Sequence, residues 1–223
     1  MNFNLAKYTA IAAVTIMSFS CNDKAKEAET SEAETVAVSE TTGIDFEVDT
    51  TSSKIEWKGF KPTSHHFGTV SIDEGSFKVN NGTIESGMFI IDMNSIAVND
   101  LEGNRKANLE NHLMGTVEGK EGDFFNVREY PTATFEVTEF SKGDDGKTLL
   151  SGNLNLKGKK NNITIPVNIN ENGENVVLES EPFTIDRTKW NVNFGSKSIF
   201  DNLGDNFIND DIELKITINA NKA

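Results

Sequence analysis

The side chains that could do chemistry are few, and the three histidines come first. His65 and His66 are adjacent, and His112 lies far from them along the chain. Neighbouring side chains of an extended strand point to opposite faces, so His65 and His66 cannot both bind one ion without a bend. Acidic residues are frequent throughout the sequence, so a zinc site is an open alternative, but no ligand spacing supports it.

A tract of four aspartates near the C-terminus is the second candidate. Asp201, Asp205, Asp210 and Asp211 lack the spacing of a calcium-binding loop and its central glycine. The sequence also has no glycine-rich phosphate loop and no G-x-S-x-G motif. We therefore predict no catalytic residue, no metal and no cofactor. A hydrolase built on this tract, or on a metal at His65, is the third of three functional hypotheses.

The only cysteine, Cys21, follows a stretch that is typical of an export signal. After a basic start, residues 8–19 are apolar but too short to span a bilayer, and small residues precede the cysteine. This layout predicts a lipoprotein signal peptide over residues 1–20 and acylation of Cys21. Ser18 stands where such signals usually have leucine, so an ordinary signal peptide with an incidental cysteine is the alternative.

The segment after Cys21 is acidic and poor in apolar residues. Residues 22–43 carry six acids against two lysines and no aromatic residue. Such a segment buries too little apolar surface to offset the entropy of ordering it. We predict a disordered acidic tether over residues 21–43, with the acylated Cys21 at its start, and one folded domain over residues 44–223.

The composition excludes several classes of protein. The chain has 223 residues and a net charge of −14, and 25% of its residues are charged. Phosphate recognition needs clustered Lys and Arg, so the acid excess argues against a nucleic-acid-binding protein. A single cysteine leaves no internal disulfide and no cysteine-based zinc cluster. The length suffices for one barrel or sandwich.

Period-2 alternation of apolar and polar residues dominates the sequence from residue 44 onward and predicts antiparallel strands with one wet face. Turn sequences such as Asn81-Gly82 and Asn172-Gly173 separate the alternating runs. The predicted strands cover residues 45–49, 53–60, 68–80, 83–93, 132–141, 147–158, 161–171, 175–186 and 211–220. Since no second linker appears, we predict an all-β fold: one closed antiparallel barrel of about eight strands, because closure removes exposed edges.

Two segments break the alternation. Leu109 and Leu113 fall at helical spacing within a polar stretch, which predicts one inserted helix from Gly103 to Met114. The second segment, residues 188–209, is irregular and rich in aromatic residues. An eight-stranded barrel either fills its interior with side chains or holds one small ligand. The 15 phenylalanines suit a dry core and an apolar ligand equally well.

A set of short motifs, spread from residue 48 to the C-terminus, resembles the YceI-like family of polyisoprenoid-binding proteins of the bacterial periplasm. The most specific motif is the D-F-F-x-V-x-x-Y-P-x-A-x-F run of residues 123–135, followed by the L-x-L-K-G run of residues 154–158. The others are S-K-I-E-W at 53–57, G-T-V at 68–70, G-M-F-I-I-D-M-N-S-I at 87–96, N-H-L at 111–113 and F-T-I-D-R-T-K-W at 183–190. The order and spacing of the set carry the resemblance.

The resemblance implies a lipocalin-like barrel of about eight strands with a helix, in which an isoprenoid chain lies in an apolar tunnel. It implies no catalytic residues. This chain departs from the pattern in residues 114–121, which lengthen the loop after the helix, and in residues 159–161, where lysines and Asn161 replace Val-Thr-Lys. Anchoring through Cys21 is a further variation on the usual soluble, secreted form.

Candidate ligand-contacting residues come from their aromatic type and from their positions near strand ends or in the two irregular segments. They are Phe89, Phe124, Phe125, Phe135, Trp190, Phe194 and Phe200. Phe124 and Phe125 are adjacent, so we expect only one of them to face inward. For each residue the alternative is a plain core or lid position. Arg187 and Lys189 could meet a pyrophosphate or quinone oxygen, or could form surface ion pairs.

The leading hypothesis is a non-enzymatic carrier of an isoprenoid lipid or quinone, held at a membrane of the cell envelope by Cys21, on the periplasmic side or the cell surface. The alternative is a structural or stress-associated envelope lipoprotein with a filled barrel that contacts another protein. The resemblance also implies a possible homodimer. Neither nucleic acid nor a cofactor is an expected partner.

Overall fold

The structure is a computed structural model that describes residues 25–39 and 43–223. The predicted signal peptide and Cys21 lie outside the described residues. The strands are β1 (Lys26–Glu27), β2 (Glu29–Glu32), β3 (Ile44–Val48), β4 (Lys54–Phe60), β5 (His65–Asn80), β6 (Thr83–Val98), β7 (Thr132–Lys142), β8 (Thr148–Leu156), β9 (Lys159–Glu171), β10 (Asn175–Ser180), β11 (Phe183–Asp186) and β12 (Asp211–Lys222). The helix α1 spans Gly103–Met114, as predicted. No helix of the described part is long and apolar enough to cross a membrane.

Eight strand positions form a closed ring of antiparallel neighbours. β5, β6, β7, β8 and β9 each fill one position, β3 and β4 share another, and β10 and β11 share the next. β12 takes the last position and closes the ring, because it pairs with β3 and β4 on one side and with β10 and β11 on the other. The predicted all-β barrel of about eight strands with one helix is confirmed.

The hairpins follow the turn chemistry of the sequence, with one shift. Asn81 and Gly82 have φ values of 50° and 74°, the left-handed pair that a two-residue β-hairpin requires. Between β8 and β9 the same geometry occurs at Lys157 and Gly158, with φ of 50° and 73°. The turn therefore lies at residues 157–158, although the predicted strands had placed it at residues 159–160.

The predicted strand over residues 175–186 is broken into β10 and β11 by Glu181 and Pro182. Proline has no N–H to donate to a neighbouring strand. The register against β12 shifts by one residue across the break, from Glu179 opposite Thr217 to Phe183 opposite Leu214. Of these two strands, β9 pairs with β10 and not with β11. The break therefore leaves the edge of β11 and the facing half of β9 without a partner strand in the ring.

The partner is the N-terminal strap, which we define as residues 26–39. β1 pairs in parallel with β11, with Lys26 opposite Phe183, and β2 pairs antiparallel with β9 from Glu29 to Glu32. Ala28, between the two strands, is buried in the hydrophobic core. The strap thus completes the barrel wall where the ring cannot pair with itself.

Residues 33–39 of the strap then cross the outside of the barrel. The side chain of Asn153 on β8 accepts a hydrogen bond from the N–H of Glu34 and donates one to its carbonyl, at 2.9 and 2.7 Å. The N–H of Ala37 donates to the carbonyl of Val137 on β7, and the Ser39 hydroxyl donates to the Glu85 carboxylate on β6. The strap is therefore fixed across three further strands.

The prediction of a disordered tether is wrong for residues 26–39. The sequence argument rested on apolar burial, and this segment indeed buries only Ala28 deeply. What orders the segment is backbone pairing with two strand edges that would otherwise be unsatisfied, and sequence periodicity gives no sign of such edges. Only four residues separate Cys21 from the start of β1 in the sequence.

We expect Asn153→Ala to loosen the strap while leaving the ring intact, because the substitution removes both hydrogen bonds to Glu34. A loss of about 1.4 kcal/mol of local stability makes the open state about tenfold more populated. Cleavage of the native full chain by a glutamyl endopeptidase after Glu32 or Glu34 should accelerate by that factor. Asn168→Ala, at an exposed position of β9, is the control and should cleave at the wild-type rate. Equal rates for both variants would show that Asn153 does not hold the strap.

Candidate functional site: an apolar cavity with one open end

A cavity of about 390 Å³ occupies part of the barrel interior. Most of its wall is aliphatic and comes from inward-facing positions of nearly every strand, among them Ile55, Ile91, Leu154, Ile163, Ile165 and Leu214. The cavity reaches the surface at one end, where the exposed residues Lys61 and Phe194 line it. We call this end the mouth. It is formed by α1, the β4–β5 hairpin and the long connections of residues 115–131 and 187–210.

The other half of the interior is filled by a row of phenylalanine rings. Phe46, Phe77, Phe89 and Phe135 follow one another with centroid separations of 5.9, 5.9 and 6.3 Å. Phe89 and Phe135 also line the cavity, so the row forms its floor. Gly152 makes room for the last ring, because an added Cβ at this position would lie 2.2 Å from Cζ of Phe135.

Helix α1 covers part of the mouth. Leu109, His112 and Leu113 recur at helical spacing and all line the cavity. The carboxylate of Glu110 accepts a hydrogen bond from the N–H of Val98 at 2.9 Å, which ties the helix to the end of β6. The helix ends at Gly115, whose φ of 71° is the left-handed conformation that glycine adopts most readily.

The loop after α1 is held over the mouth by His112. Its Nε2 lies 2.7 Å from Oδ2 of Asp123. The imidazole ring also contacts Phe124 and Phe194, with centroid separations of 5.1 and 5.0 Å. The lengthened loop of residues 114–121 is thus tied down at its far end, and aromatic rings from both long connections meet beside the helix.

Arg187 holds the second long connection in place. Its side chain is buried and donates hydrogen bonds to the carbonyls of Val192, Ile208 and Asn209. Burial lowers the pKa of the Arg187 guanidinium, and the nearby carboxylates of Asp210 and Asp186 oppose that shift. Although Arg187 lines the cavity, three of its donors are already committed to the protein backbone.

Lys157 links the two long connections to each other. Its ammonium donates hydrogen bonds to the carbonyls of Gly122 and Asn191, at 2.7 and 3.0 Å. Desolvation lowers the pKa of Lys157, while Asp123 and Glu129 act in the opposite direction. The lysine of the L-x-L-K-G motif therefore fixes the mouth, a role that the sequence alone did not indicate.

His66 forms a second histidine–carboxylate pair at the mouth. Its Nδ1 lies 2.8 Å from Oδ2 of Asp100, and Oδ1 of the same carboxylate accepts a hydrogen bond from the N–H of Phe67. Burial raises the pKa of Asp100, but these hydrogen bonds and the charge of His66 outweigh it, so the net pKa lies below the ordinary value of 3.8. His66 lines the cavity, whereas the ring of its neighbour His65 contacts Phe60 and Phe67.

The structure brings most of the aromatic candidates to the cavity. Phe89, Phe124, Phe135 and Phe194 line it. Phe125 lines it as well, so the expectation that only one of the adjacent pair faces inward is wrong. Both residues lie in a loop, where the alternation of an extended strand does not apply.

Three other candidates lie elsewhere. Trp190 is fully buried in the core, where its indole N–H donates a hydrogen bond to the carbonyl of Leu154 at 3.0 Å. Trp190 does not line the cavity. Phe200 is exposed on the surface. The ammonium of Lys189 pairs with the carboxylate of Glu27 in the strap at 3.1 Å. For Lys189, the alternative of a surface ion pair is therefore confirmed.

The sequence analysis missed the aliphatic lining and Gly59. The period-2 alternation of β9 and β12 carries the signal for this lining, because their inward rows are isoleucine, leucine and valine, whereas the candidates chosen from the sequence were mainly aromatic. Gly59 lines the cavity, and an added Cβ there would meet no atom within 4 Å. In the described part of the chain, no three His, Cys, Asp or Glu side chains are grouped to hold a metal ion.

Residues 46–220 match the model of the YceI-like domain family. Proteins named UPF0312 from Yersinia pestis and Yersinia pseudotuberculosis are 32% identical over 101 residues, a match that covers 44% of this chain and 46% of theirs. The aligned region thus spans about half the length of these relatives.

Two solved structures share the fold. BcnA of Burkholderia cenocepacia is 22% identical, with a TM-score of 0.56, over 77% of this chain and 98% of its own. A polyisoprenoid binding domain from Saccharophagus degradans, implicated in plant cell wall breakdown, is 19% identical, with a TM-score of 0.54, over 81% and 99%. At these identities the likeness concerns the fold.

We expect the stability of the protein to depend on the ionisation of Asp100. Because the folded-state pKa lies below 3.8, the carboxylate stabilises the fold fully above that value, and the contribution is lost as pH falls through the lowered folded-state value. The free energy of unfolding is measured by urea titration at neutral pH and at pH values below 3.8. Between these conditions it should fall by more in wild type than in Asp100→Asn. Asp73→Asn, at an exposed position of β5, is the control and should follow wild type. Parallel curves for wild type and Asp100→Asn would contradict the prediction.

Proposed function

Because this chain belongs to the YceI-like family, we propose that its barrel binds a long isoprenoid lipid, of the polyprenyl or quinone type, without catalysing a reaction. The observation that carries the proposal is the apolar cavity, which is open at one end. Its volume of about 390 Å³ falls within the roughly 300–1,000 Å³ of known ligand pockets. A relative with the same fold is named as a polyisoprenoid binding domain, and its ligand class suits this wall.

The binding energy would come from the tail of the lipid. Arg187, His66 and His112 line the cavity and are each already bonded to protein atoms. A headgroup would have to break those bonds to gain new ones. Lys61, by contrast, is exposed at the mouth, where solvent and salt screen its charge. Apolar burial at roughly 25 cal/mol per Å² is then the main contribution, so we expect little discrimination between quinone and polyprenyl headgroups.

The alternative of a filled barrel that acts only through its surface is less well supported. It requires an interior packed throughout like a protein core. On one side of Phe89 and Phe135 the row of phenylalanine rings fills the interior. On the other side the interior is not filled, because the cavity lies there.

We further propose that Cys21 is acylated and holds the barrel at a membrane of the cell envelope. Support comes from the sequence layout before Cys21 and from the acidic segment after it. A lipid carrier gains from this arrangement, because the cavity stays close to the bilayer that supplies its ligand. Several acyl chains anchor a protein stably.

The cavity proposal is tested by filling the cavity. Gly59→Phe directs a phenyl ring into open space inside the barrel, so the variant should fold with an unchanged melting temperature. When delipidated full chain is offered a ubiquinone with a decaprenyl tail, native mass spectrometry should show loading below about a tenth of the wild-type value.

Asn168→Phe is the control for this experiment. Asn168 lies at an exposed position of β9 and does not line the cavity, so the added ring stays outside the barrel. This variant should load like wild type. Failure of wild type to take up the quinone, or equal loading of Gly59→Phe, would contradict binding in the cavity.

The anchor is tested by metabolic labelling with palmitate in a bacterium that exports the full chain. Wild type should incorporate the label, and Cys21→Ser should not, because only a cysteine thiol can form the thioether to diacylglycerol. Ser20→Ala, which keeps a small residue before the cysteine, should be labelled like wild type. An unlabelled wild-type protein would favour the ordinary signal peptide.

A further inference from the structure

The end of the barrel that holds the mouth carries exposed apolar side chains, of which only Phe194 lines the cavity. They are Phe67, Phe194, Ile199 and Phe200, with exposed fractions of 42%, 38%, 50% and 48%. We call this set the apolar rim. In the described part of the chain, the three phenylalanines of the rim are the only ones that are this exposed.

The members of the rim come from two elements that stand side by side. Phe67 lies next to the β4–β5 hairpin, and Ile199 and Phe200 lie at the tip of an exposed stretch of residues 197–202. The elements are joined where the N–H of Asn209 donates to the carbonyl of Phe60 at 2.9 Å. The hydroxyl of Ser198 donates to the Asp210 carboxylate next to this junction. The rim is therefore fixed to the barrel.

We propose that the apolar rim docks on the surface of a lipid bilayer, with the mouth of the cavity facing the membrane. Exposed aromatic and aliphatic side chains around an opening favour an apolar partner. Their continuity with the apolar wall, through Phe194, would let a lipid tail pass from bilayer to cavity without crossing water. This inference rests on the proposed function for its purpose, but the docking itself can be measured without a bound ligand.

The charges beside the rim fit a bilayer surface. The chain has a net charge of −14, yet lysines stand beside the rim. Lys58 lies over the ring of Phe60 at 5.1 Å, and Lys197 lies over the ring of Phe207 at 4.5 Å. Long cationic side chains with aromatic neighbours are suited to the headgroup region. Asp100, Asp201 and Asp210 also lie beside the rim, so apolar insertion must contribute more than net charge.

The proposed anchor can reach the same plane. Lys26 lies opposite Phe183, and β11 runs three more residues to the mouth end at Asp186, a distance of roughly 10 Å along a strand. Cys21 precedes Lys26 by five residues, a length of chain that spans at most about 18 Å. Because β1 is parallel to β11 and runs toward the mouth, the chain before Lys26 has to turn back to reach the mouth. Its length brings an acyl chain on Cys21 within reach of the bilayer that the rim enters.

The test places a fluorescent probe at the rim of the full chain. Ile199→Cys and Asp144→Cys are each labelled with an environment-sensitive dye, the second in the β7–β8 hairpin at the opposite end of the barrel. The proteins are reconstituted with vesicles of phosphatidylethanolamine and phosphatidylglycerol that contain a nitroxide-labelled phospholipid. The dye at position 199 should shift to the blue and be quenched, and the dye at position 144 should show neither effect. If Cys21 carries no acyl chain, its free thiol also reacts with the dye. The mass of the labelled protein then shows a second dye and reveals the missing anchor.

Removal of a rim side chain completes the test. Phe200→Ser, combined with the probe at position 199, should reduce quenching by at least about half, because less apolar surface enters the bilayer. Met88→Ser, which removes a 44% exposed side chain from the barrel wall, should leave quenching unchanged.

Three results would overturn the proposal. They are equal quenching at positions 199 and 144, no effect of Phe200→Ser, and a blue shift without vesicles that grows with protein concentration. The last result would mean that a second copy of the chain covers the rim. Quinone uptake is measured in a separate experiment. A failure of the cavity proposal can therefore be told apart from a failure of docking.

Discussion

The wall of the barrel is complete only when two strand edges that the ring leaves unpaired find a partner. Pro182 interrupts the strand between β9 and β12, and past the interruption β11 stays with β12 while β9 continues with β8. Unpaired N–H and C=O groups there would be costly beside an apolar cavity. The strap supplies both missing partners from a part of the sequence with little apolar character. The integrity of the cavity wall therefore depends on hydrogen bonds of residues 26–32, outside the segment that carries the family motifs.

The closed ring leaves a cavity because side chains fill its interior unevenly. Phe46, Phe77, Phe89 and Phe135 occupy one half of the interior as a continuous row of rings. The row needs space that side chains on neighbouring strands would otherwise take, and Gly152 provides it for the last ring. In the other half, branched aliphatic side chains line the wall without meeting across the centre. The same fold thus combines a packed core, which stabilises the barrel, with a space that a flexible apolar chain can enter.

Sequence reasoning predicted those parts of the fold that local pattern determines. Alternation gave the long strands, turn residues gave the hairpins, and the spacing of Leu109 and Leu113 gave α1 with its observed bounds. The strap could not be predicted, because its order comes from edges created by a break at Pro182 far along the chain. Five of the seven aromatic candidates line the cavity, and Trp190 was not distinguished from them, since burial in the core and contact with a cavity require the same residue type.

The two ends of the barrel differ because antiparallel connections alternate between them. Short turns such as those at residues 81–82 and 172–174 connect the strands at one end and leave them close together. The other end receives residues 99–131 and 187–210, which are long enough to hold α1, the loop fixed by His112 and the exposed stretch with Phe200. Buried or half-buried cations, Arg187 and Lys157, bind the carbonyls of these irregular segments, which have no strand partners to satisfy them. Polar groups at the mouth are thus needed to hold its shape, and they leave recognition of a ligand to the apolar wall behind them.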